Sequence, residues 1–414
     1  MDTLKSFVGT SSDPFVLAEE FYAYMKEDPA RGSAYFHELS ANDGVRCDSA
    51  AGELLMLGSN NYLALTADPY VRQKAMEALA SEGPSMTGSR FLNGTTRAHT
   101  LLEQALARFL GREAGLVFTT GYQANVGLIS ALCNAKTTLI LDRACHASIV
   151  DGARMAGCRV VRFHHNEPEH LRKILASLSS ETSPLVMVDG VYSMEGDVAP
   201  IPEIHALCRE FGAKFIIDDA HGIGTMGATG RGVEEHFELL GCADAITGTF
   251  SKSLASIGGF VVASRQLIEW IRYNARSLIF SASLPPPLVA AAHAALTRLE
   301  EEPSRVAKLR ENVKYWRTGL NRRGLKVIPA ETPVVAIHIG DAFECVALGS
   351  YLREQGVFVN AAIPPAVPEG HALLRTSVTA AHTQDVLDNA LRIMEQAFRH
   401  LRAPANSRHV GAVS

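Results

Sequence analysis

Two acids and one amine are spaced for chemistry at the edge of a sheet. Asp218 and Asp219 close the apolar run KFIIDD (214–219), and His221 follows. Lys252 lies 34 positions beyond Asp218, in GTFSKS, just past the apolar run DAITGTF (244–250). Such runs read as buried strands, so carboxylate and amine are both delivered to the sheet's carboxyl edge, where open α/β sheets bind ligands. A lone lysine there is by default a surface residue. Its pairing with a strand-end Asp, the flanking hydroxyls of Thr249 and Ser251, and the Gly-rich IGG (257–259) point instead to a Schiff-base lysine. The chemistry that uses these parts is that of pyridoxal phosphate: the amine condenses with the aldehyde, and a carboxylate pairs with the pyridinium nitrogen so that the ring accepts electrons. A phosphate wants backbone N–H groups at a helix start plus hydroxyls. TTGYQAN turns a strand into a helix at Gly121 and Tyr122, Thr249 and Ser251 flank the lysine, and Ser281 stands in FSASLPP. His146, in CHAS just after TTLILD, is placed to stack on the ring face.

The surrounding elements follow from texture. Residues 1–40 read as a polar helical leader with Phe15, Ala18, Phe21 and Tyr22 on one apolar face. From about residue 50, short apolar runs alternate with helical stretches. Expected strands are 54–58, 115–120, 137–142, 159–163, 184–190, 214–219, 244–250 and 258–264, and expected helices include 98–110, 123–132, 168–178 and 202–211. This alternation predicts an α/β domain whose mostly parallel sheet is covered by helices on both faces. Pro285, Pro286 and Pro287 cannot lie inside a helix, so a new long helix starts there. Helices at 305–323 and 383–402 with short strands at 326–329 and 333–338 predict a smaller α+β lobe. The expected division is an N-terminal arm (1–55), a large domain (56–290), a small C-terminal domain (291–402) and a mobile tail (403–414).

Composition excludes other classes. The 414 residues are 47% hydrophobic and 20% charged, with 39 basic and 44 acidic residues for a net charge of −5. That balance argues against a nucleic-acid binder, and the apolar content against disorder. Seven scattered cysteines (47, 133, 145, 158, 208, 242, 345) have no CxxC or zinc-ribbon spacing and read as reduced thiols of a cytoplasmic protein. The first residues lack the pattern of a signal peptide, and no apolar run reaches the roughly 18–20 residues of a membrane span. In GIGTMG, Gly222, Gly224 and Gly227 match GxGxxG, but ATGRG follows where a dinucleotide motif needs a helix, so the segment reads as a long flexible turn. In HHNEPEH, His164, His165, Glu167, Glu169 and His170 lie together, and the segment reads as a solvated helix start at Pro168 rather than a metal site.

Taken in order, TGSRFLNGT (87–95), TGYQAN (120–125), DRACHAS (142–148), DGVYSMEGDVAP (189–200), DDAHGIG (218–224), GTFSKS (248–253) and SASLPP (281–286) resemble the α-oxoamine synthases of the fold-type I pyridoxal phosphate superfamily. The resemblance runs from SNNYLAL (59–65) to LLRTSVTAAHT (373–383). VYSMEGDVAP, GTFSKSLASIGGF, IFSASLPP and LLRTSVTAAHT look most like the bacterial serine palmitoyltransferase branch. DDAHGIG looks more like the 8-amino-7-oxononanoate synthase type.

The resemblance implies a fold-type I transferase with Lys252 as the internal aldimine and proton-transfer base and Asp218 on the pyridine nitrogen. It implies His221 on the cofactor's phenolic oxygen and His146 stacked on the ring, orienting the substrate carboxylate. Gly121, Tyr122, Ser193, Thr249 and Ser251 would fix the cofactor, and Ser281 would reach the phosphate of a neighbouring subunit, which implies a homodimer. Asn61 or Asn60, with Arg375, would bind the amino acid; which asparagine matches depends on a one-residue choice of alignment. The implied reaction is a decarboxylative Claisen condensation of an amino acid with an acyl thioester, L-serine and palmitoyl-CoA giving 3-oxosphinganine. The alternatives are alanine or glycine with a coenzyme A or carrier-protein thioester, a nicotinamide oxidoreductase built on GIGTMG, and a catalytically inactive partner subunit.

Overall fold

The computed structural model of the chain describes residues 9–27, 35–40 and 42–402. The expected tail and parts of the expected leader lie outside the described residues. In chain order, α1 (Pro14–Glu27) precedes a small meander of β1 (Leu39–Ser40), β2 (Arg46–Ser49) and β3 (Gly52–Met56). Helices α2 (Pro69–Glu82) and α3 (Arg97–Phe109) lead into the alternating region. It holds β4 (Ala114–Phe118), α4 (Gly121–Leu132), β5 (Thr137–Asp142), α5 (Ala147–Ala156), β6 (Arg159–Phe163), α6 (Pro168–Ala176), β7 (Ser183–Asp189), α7 (Ile201–Phe211) and β8 (Lys214–Asp218). A glycine-rich turn separates these from α8 (Val233–His236), β9 (Ala245–Thr249), β10 (Gly259–Ala263), α9 (Arg265–Asn274), α10 (Arg276–Ile279) and α11 (Pro286–Glu301). The remainder is α12 (Ser304–Arg322), β11 (Val334–Gly340), α13 (Ala342–Glu354), β12 (Val357–Phe358), β13 (Asn360–Ala362), β14 (Ala372–Ser377) and α14 (Gln384–Arg402).

The main sheet has seven strands in the order β4-β10-β9-β8-β7-β5-β6. Only β10 runs antiparallel to its neighbours. Alternate residues of each strand sort into two cores, as a pleat requires. Val117, Ile140, Val186, Phe215, Ile217, Phe260 and Val262 enter one core with α3, α6 and α7. Leu116, Phe118, Leu139, Leu141, Met187, Ile216 and Val261 enter the other with α4, α5 and α9. Both faces are thus covered, as the near-continuous apolar strands predict, and this is an α/β fold. The polar residues Asp142, Asp189, Asp218 and Thr249 end their strands at one edge.

Local signals set the helix starts that matter. The Thr120 hydroxyl accepts from Gln123 N at 3.0 Å and caps α4. At α11, Pro285 caps and Pro286 and Pro287 occupy the first turn, where no N–H is needed. The C-terminal part builds an antiparallel three-stranded sheet, β11-β14-β13, from which Arg375 projects. A third sheet, β1-β2-β3-β12, joins the N-terminal meander to the C-terminal part through the parallel pair β3–β12.

Several expectations are corrected. Residues 326–329 form no strand; Val327 makes one isolated bridge to Ile337, and Pro329 lacks the N–H needed to extend it. The leader's helical part among the described residues is α1 alone, and no α1 residue is buried, with Phe15 82% exposed. The GIGTMG turn is packed rather than loose. Residues 221–227 are buried, Gly224 N donates to Gly230 O, and the next helix is the four-residue α8.

Candidate active site

The carboxyl edge of the main sheet opens into a cavity of about 300 Å³ whose lining includes Gly121, Asn125, His146, Asp218, His221 and Lys252. β8 brings Asp218 to the edge, β9 brings Thr249 and then Lys252, and the turn after β5 brings His146. Burial pushes the Lys252 amine down to about 8, against the pull of Asp218 and Asp189.

One side of the cavity is acidic. Asp218 and Asp189 are register partners on adjacent strands. Burial holds the Asp189 carboxyl well above the usual range, and the neighbouring Asp218 charge adds to this. Asp218 Oδ2 accepts from Asn125 Nδ2 at 2.6 Å, and Oδ1 accepts from Ala220 N at 3.1 Å. The same Asn125 nitrogen donates to Ser148 Oγ at 2.9 Å. Ser148 Oγ in turn contacts His146 Nδ1 at 2.7 Å, and Ser148 N donates to that ring nitrogen at 3.2 Å. An Nδ1 that accepts a backbone proton leaves the imidazole proton on Nε2. Burial, with the Lys252 charge nearby, lowers the His146 pKa and favours the neutral ring.

The opposite side is basic. Arg375 donates to Ser193 O at 2.6 Å, Asn60 Oδ1 at 2.9 Å, Ser377 Oγ at 3.2 Å and Tyr62 Oη at 3.3 Å. Tyr62 Oη also meets His221 Nδ1 at 2.7 Å. Burial, then the charges of Lys252 and Arg375, hold His221 well below its ordinary value, so it is neutral. The structure separates the two asparagines. Asn60 faces Arg375, whereas Asn61 Nδ2 donates to Thr66 Oγ1 at 2.7 Å inside the turn.

A third wall is built for close approach. The first N–H groups of α4, on Gly121 and Tyr122, have no intrahelical acceptor. A Cβ on Gly259 would lie 2.5 Å from Gly121 Cα, so only glycine fits there, and one on Gly121 would press on Thr249 Cβ at 3.0 Å. Thr249 Oγ1 meets Ser251 Oγ at 2.7 Å. Tyr122 is exposed and donates to Asp151 Oδ2 at 2.6 Å. Ser281 Oγ accepts from Gln123 Nε2 at 3.1 Å, beside the first turn of α4. An amine kept reactive by burial, a carboxylate across from it, orphan helix N–H groups beside two hydroxyls, and the buried unpartnered Asn125 Oδ1 fit pyridoxal phosphate.

Asn125, Ser148, Tyr62 and Asp189 were not singled out as site residues from the sequence, although TGYQAN, DRACHAS, SNNYLAL and DGVYSMEGDVAP contain them. Asp219 turns away from the cavity: its Oδ2 accepts from Val233 N at 2.9 Å. Cβ atoms on Gly222 and Gly232 would come within 1.9 Å and 1.8 Å of its oxygens. In HHNEPEH the helix does start at Pro168 with His164 and Glu167 exposed, but the ligand-capable atoms of His164, Glu167 and His170 converge to within 4.8 Å of one another, which the sequence reading did not expect. The solvated reading fails for His165, whose two ring nitrogens contact Asp142 Oδ1 at 2.9 Å and Asp197 Oδ2 at 2.7 Å.

The family model for aminotransferase class I and II matches residues 52–394. A serine palmitoyltransferase of Caulobacter vibrioides is 44% identical over 339 residues, covering 82% of this chain and 84% of that one. An 8-amino-7-oxononanoate synthase of Geobacter sulfurreducens is 38% identical over 365 residues, covering 88% and 93%. Among solved structures, a serine palmitoyltransferase variant of S. paucimobilis with a bound PLP–myriocin aldimine matches with a TM-score of 0.91 at 36% identity, covering 94% of this chain and 99% of that one. A cavity built around a half-buried lysine and a strand-end acid, in a chain that matches these relatives along most of its length, leads to one conclusion: the chain belongs to the aminotransferase class I and II family, in its α-oxoamine synthase branch.

Proposed function

We propose that the chain is a pyridoxal phosphate-dependent acyltransferase that condenses L-serine with a long-chain acyl thioester, releasing the thiol and carbon dioxide and yielding an aminoketone such as 3-oxosphinganine. The observation that carries this reading is the placement of the Lys252 amine between the Asp218–Asp189 pair and the Arg375 cluster. When bound, pyridoxal phosphate supplies the electron sink that lets the amino acid's α-carbon act as a nucleophile. Lys252 anchors the cofactor and then takes and returns the proton at that carbon; an amine near pKa 8 serves both directions near neutral pH. Asp218, oriented by Asn125, would pair with the ring nitrogen and keep it protonated. His146, on the cavity wall, would pack on the ring and offer its Nε2 proton to substrate oxygen, and His221 would donate to the phenolic oxygen. Gly121, Tyr122, Ser193, Thr249 and Ser251 hold the cofactor. Arg375 binds the amino-acid carboxylate with Asn60 beside it, a pairing for which a planar guanidinium is suited.

The reading extends to assembly. Exposed Phe91, Leu92, Tyr273 and Phe280 gather near the strand bridge between Ser89 and Ala282, and so close to Ser281. An apolar rim of this kind supports a homodimer in which Ser281 serves the partner's phosphate. We read the enzyme as cytoplasmic; no helix among the described residues is long and apolar enough to cross a membrane. We read the chain as an arm (1–55), a cofactor domain (56–290) and a small domain (291–402) that supplies Arg375.

The test is a titration of serine, alanine and glycine against the visible spectrum of the holoenzyme, followed by thiol release with acyl thioesters of several lengths. Serine is expected to shift the spectrum and support thiol release, and Lys252→Ala to abolish the imine absorbance. Response to alanine or glycine but not serine would move the assignment to the 8-amino-7-oxononanoate synthase type.

A further inference from the structure

His165 has a carboxylate on each ring nitrogen. Both acceptors demand a proton from it, so the ring is an imidazolium; the two acids overcome burial and push it up to about 10. Asn166 doubles the connection. Its backbone N donates to Asp142 Oδ2 at 2.8 Å, and its Nδ2 donates to Asp197 Oδ2 at 2.6 Å. Besides Asp142 and Asp197, the titratable groups around the ring are Tyr192, packed edge-on at 4.4 Å, and Glu195 and Arg143 on the wall of an adjoining cavity of about 1330 Å³.

Each of these acids anchors a segment that reaches the active site. Asp142 Oδ1 also accepts from Ala144 N at 2.8 Å, and Asp142 O accepts from Cys145 N at 3.2 Å, which shapes the turn presenting His146. Asp197 closes a tight hairpin: Tyr192 N donates to Asp197 O at 2.9 Å, and Val191 bridges Val198. Ser193 is the first residue of that hairpin's loop, and its carbonyl accepts from Arg375 Nε.

We propose that His165 is a positioning residue: held between Asp142 and Asp197, it locks together the turn that carries His146 and the hairpin that orients Arg375, and so sets the enzyme's affinity for its amino-acid substrate. This rests on the reading of Arg375 as the carboxylate-binding group. It assigns the imidazolium no contact with cofactor or substrate.

The experiment titrates serine against the visible spectrum of the holoenzyme in His165→Gln, His165→Arg, Asp197→Asn and Arg375→Gln. In His165→Gln the serine Kd is expected to rise roughly tenfold with the resting spectrum and cofactor content unchanged, and KM to rise more than kcat falls. His165→Arg restores the cation and recovers most of the affinity. Asp197→Asn, which preserves shape, weakens serine in the same direction. In the unmodified holoenzyme with labelled histidine, the His165 NMR signals are expected not to titrate between pH 6 and 9. An inflection below pH 8, or a His165→Gln Kd within twofold of the unmodified protein while Arg375→Gln weakens serine strongly, overturns the proposal alone. If Arg375→Gln also binds serine normally, the reading of the site falls with it.

Discussion

The two sides of the cavity are built differently. On the acidic side, Asp218 is held by Asn125 from α4, Ser148 stands behind, and Asp189 lies on the adjacent strand. All belong to consecutive strands and helices of one sheet. On the basic side, Arg375 from β14 meets Asn60 and Tyr62 from just after β3, and Ser193 from the hairpin after β7. Those pairs are separated by 315, 313 and 182 positions. The acidic side is a property of the sheet edge, whereas the basic side exists only once distant parts of the chain have docked. The first should resist perturbation elsewhere and fail only at its own residues. The second should respond to many.

The largest expected effect breaks the acidic side. Asp218→Asn keeps an acceptor for Asn125 but removes the carboxylate that the proposed function sets against the ring nitrogen, and turnover should fall roughly 10²–10³-fold with serine affinity nearly unchanged. A loss shared equally between kcat and serine binding would show that the two sides are not separable.

A second test reads Lys252, which lies between them. Its pKa in the folded chain is about 8 against 10.5 unfolded, so the unfolded chain binds more protons between those values and stability rises with pH across that window. At neutral pH the buried ammonium costs about 3 kcal/mol, at about 1.4 kcal/mol per unit. Lys252→Met should therefore stabilise the cofactor-free protein at pH 7, and the gain should vanish by about pH 10.5. Asp219, pushed up to about 8, makes stability fall with rising pH below that value, outside the Lys252 window, and is common to both proteins. A gain independent of pH, measured by denaturant unfolding, would mean the amine is solvated.

The smallest effect sharpens the basic side. Tyr62→Phe removes one hydrogen bond each from His221 and Arg375 and should raise the serine KM roughly tenfold, with little change in kcat. A change in kcat alone would place Tyr62 with the chemistry rather than with binding.

This asymmetry explains what could be read from the chain. Apolar runs ending in Asp218 and preceding Lys252 announce buried strands with chemistry at their ends, and a capped glycine start announces α4. These signals are local. The choice between Asn60 and Asn61 was not legible, because adjacent residues in a turn point to different places and only the docking of β14 decides which meets Arg375. His165 was misread for a related reason. Its neighbours His164 and His170 are solvated, and its carboxylate partners come from 23 and 32 positions away. The run at 326–329 failed because apolar residues alone do not build a strand when proline removes the next donor.

The parallel pairing of β3 with β12 carries a consequence for the protein as it is made. Leu55 and Met56 emerge from the ribosome about 300 residues before Val357 and Phe358, their partners. At about 5–20 residues per second that is a wait of roughly 15–60 s. The sheet edge that takes the cofactor is complete by Ala263, long before then. A nascent chain can therefore complete its main sheet while the strand that carries Arg375 has yet to be translated, so the basic side of the cavity is the last part of it to form.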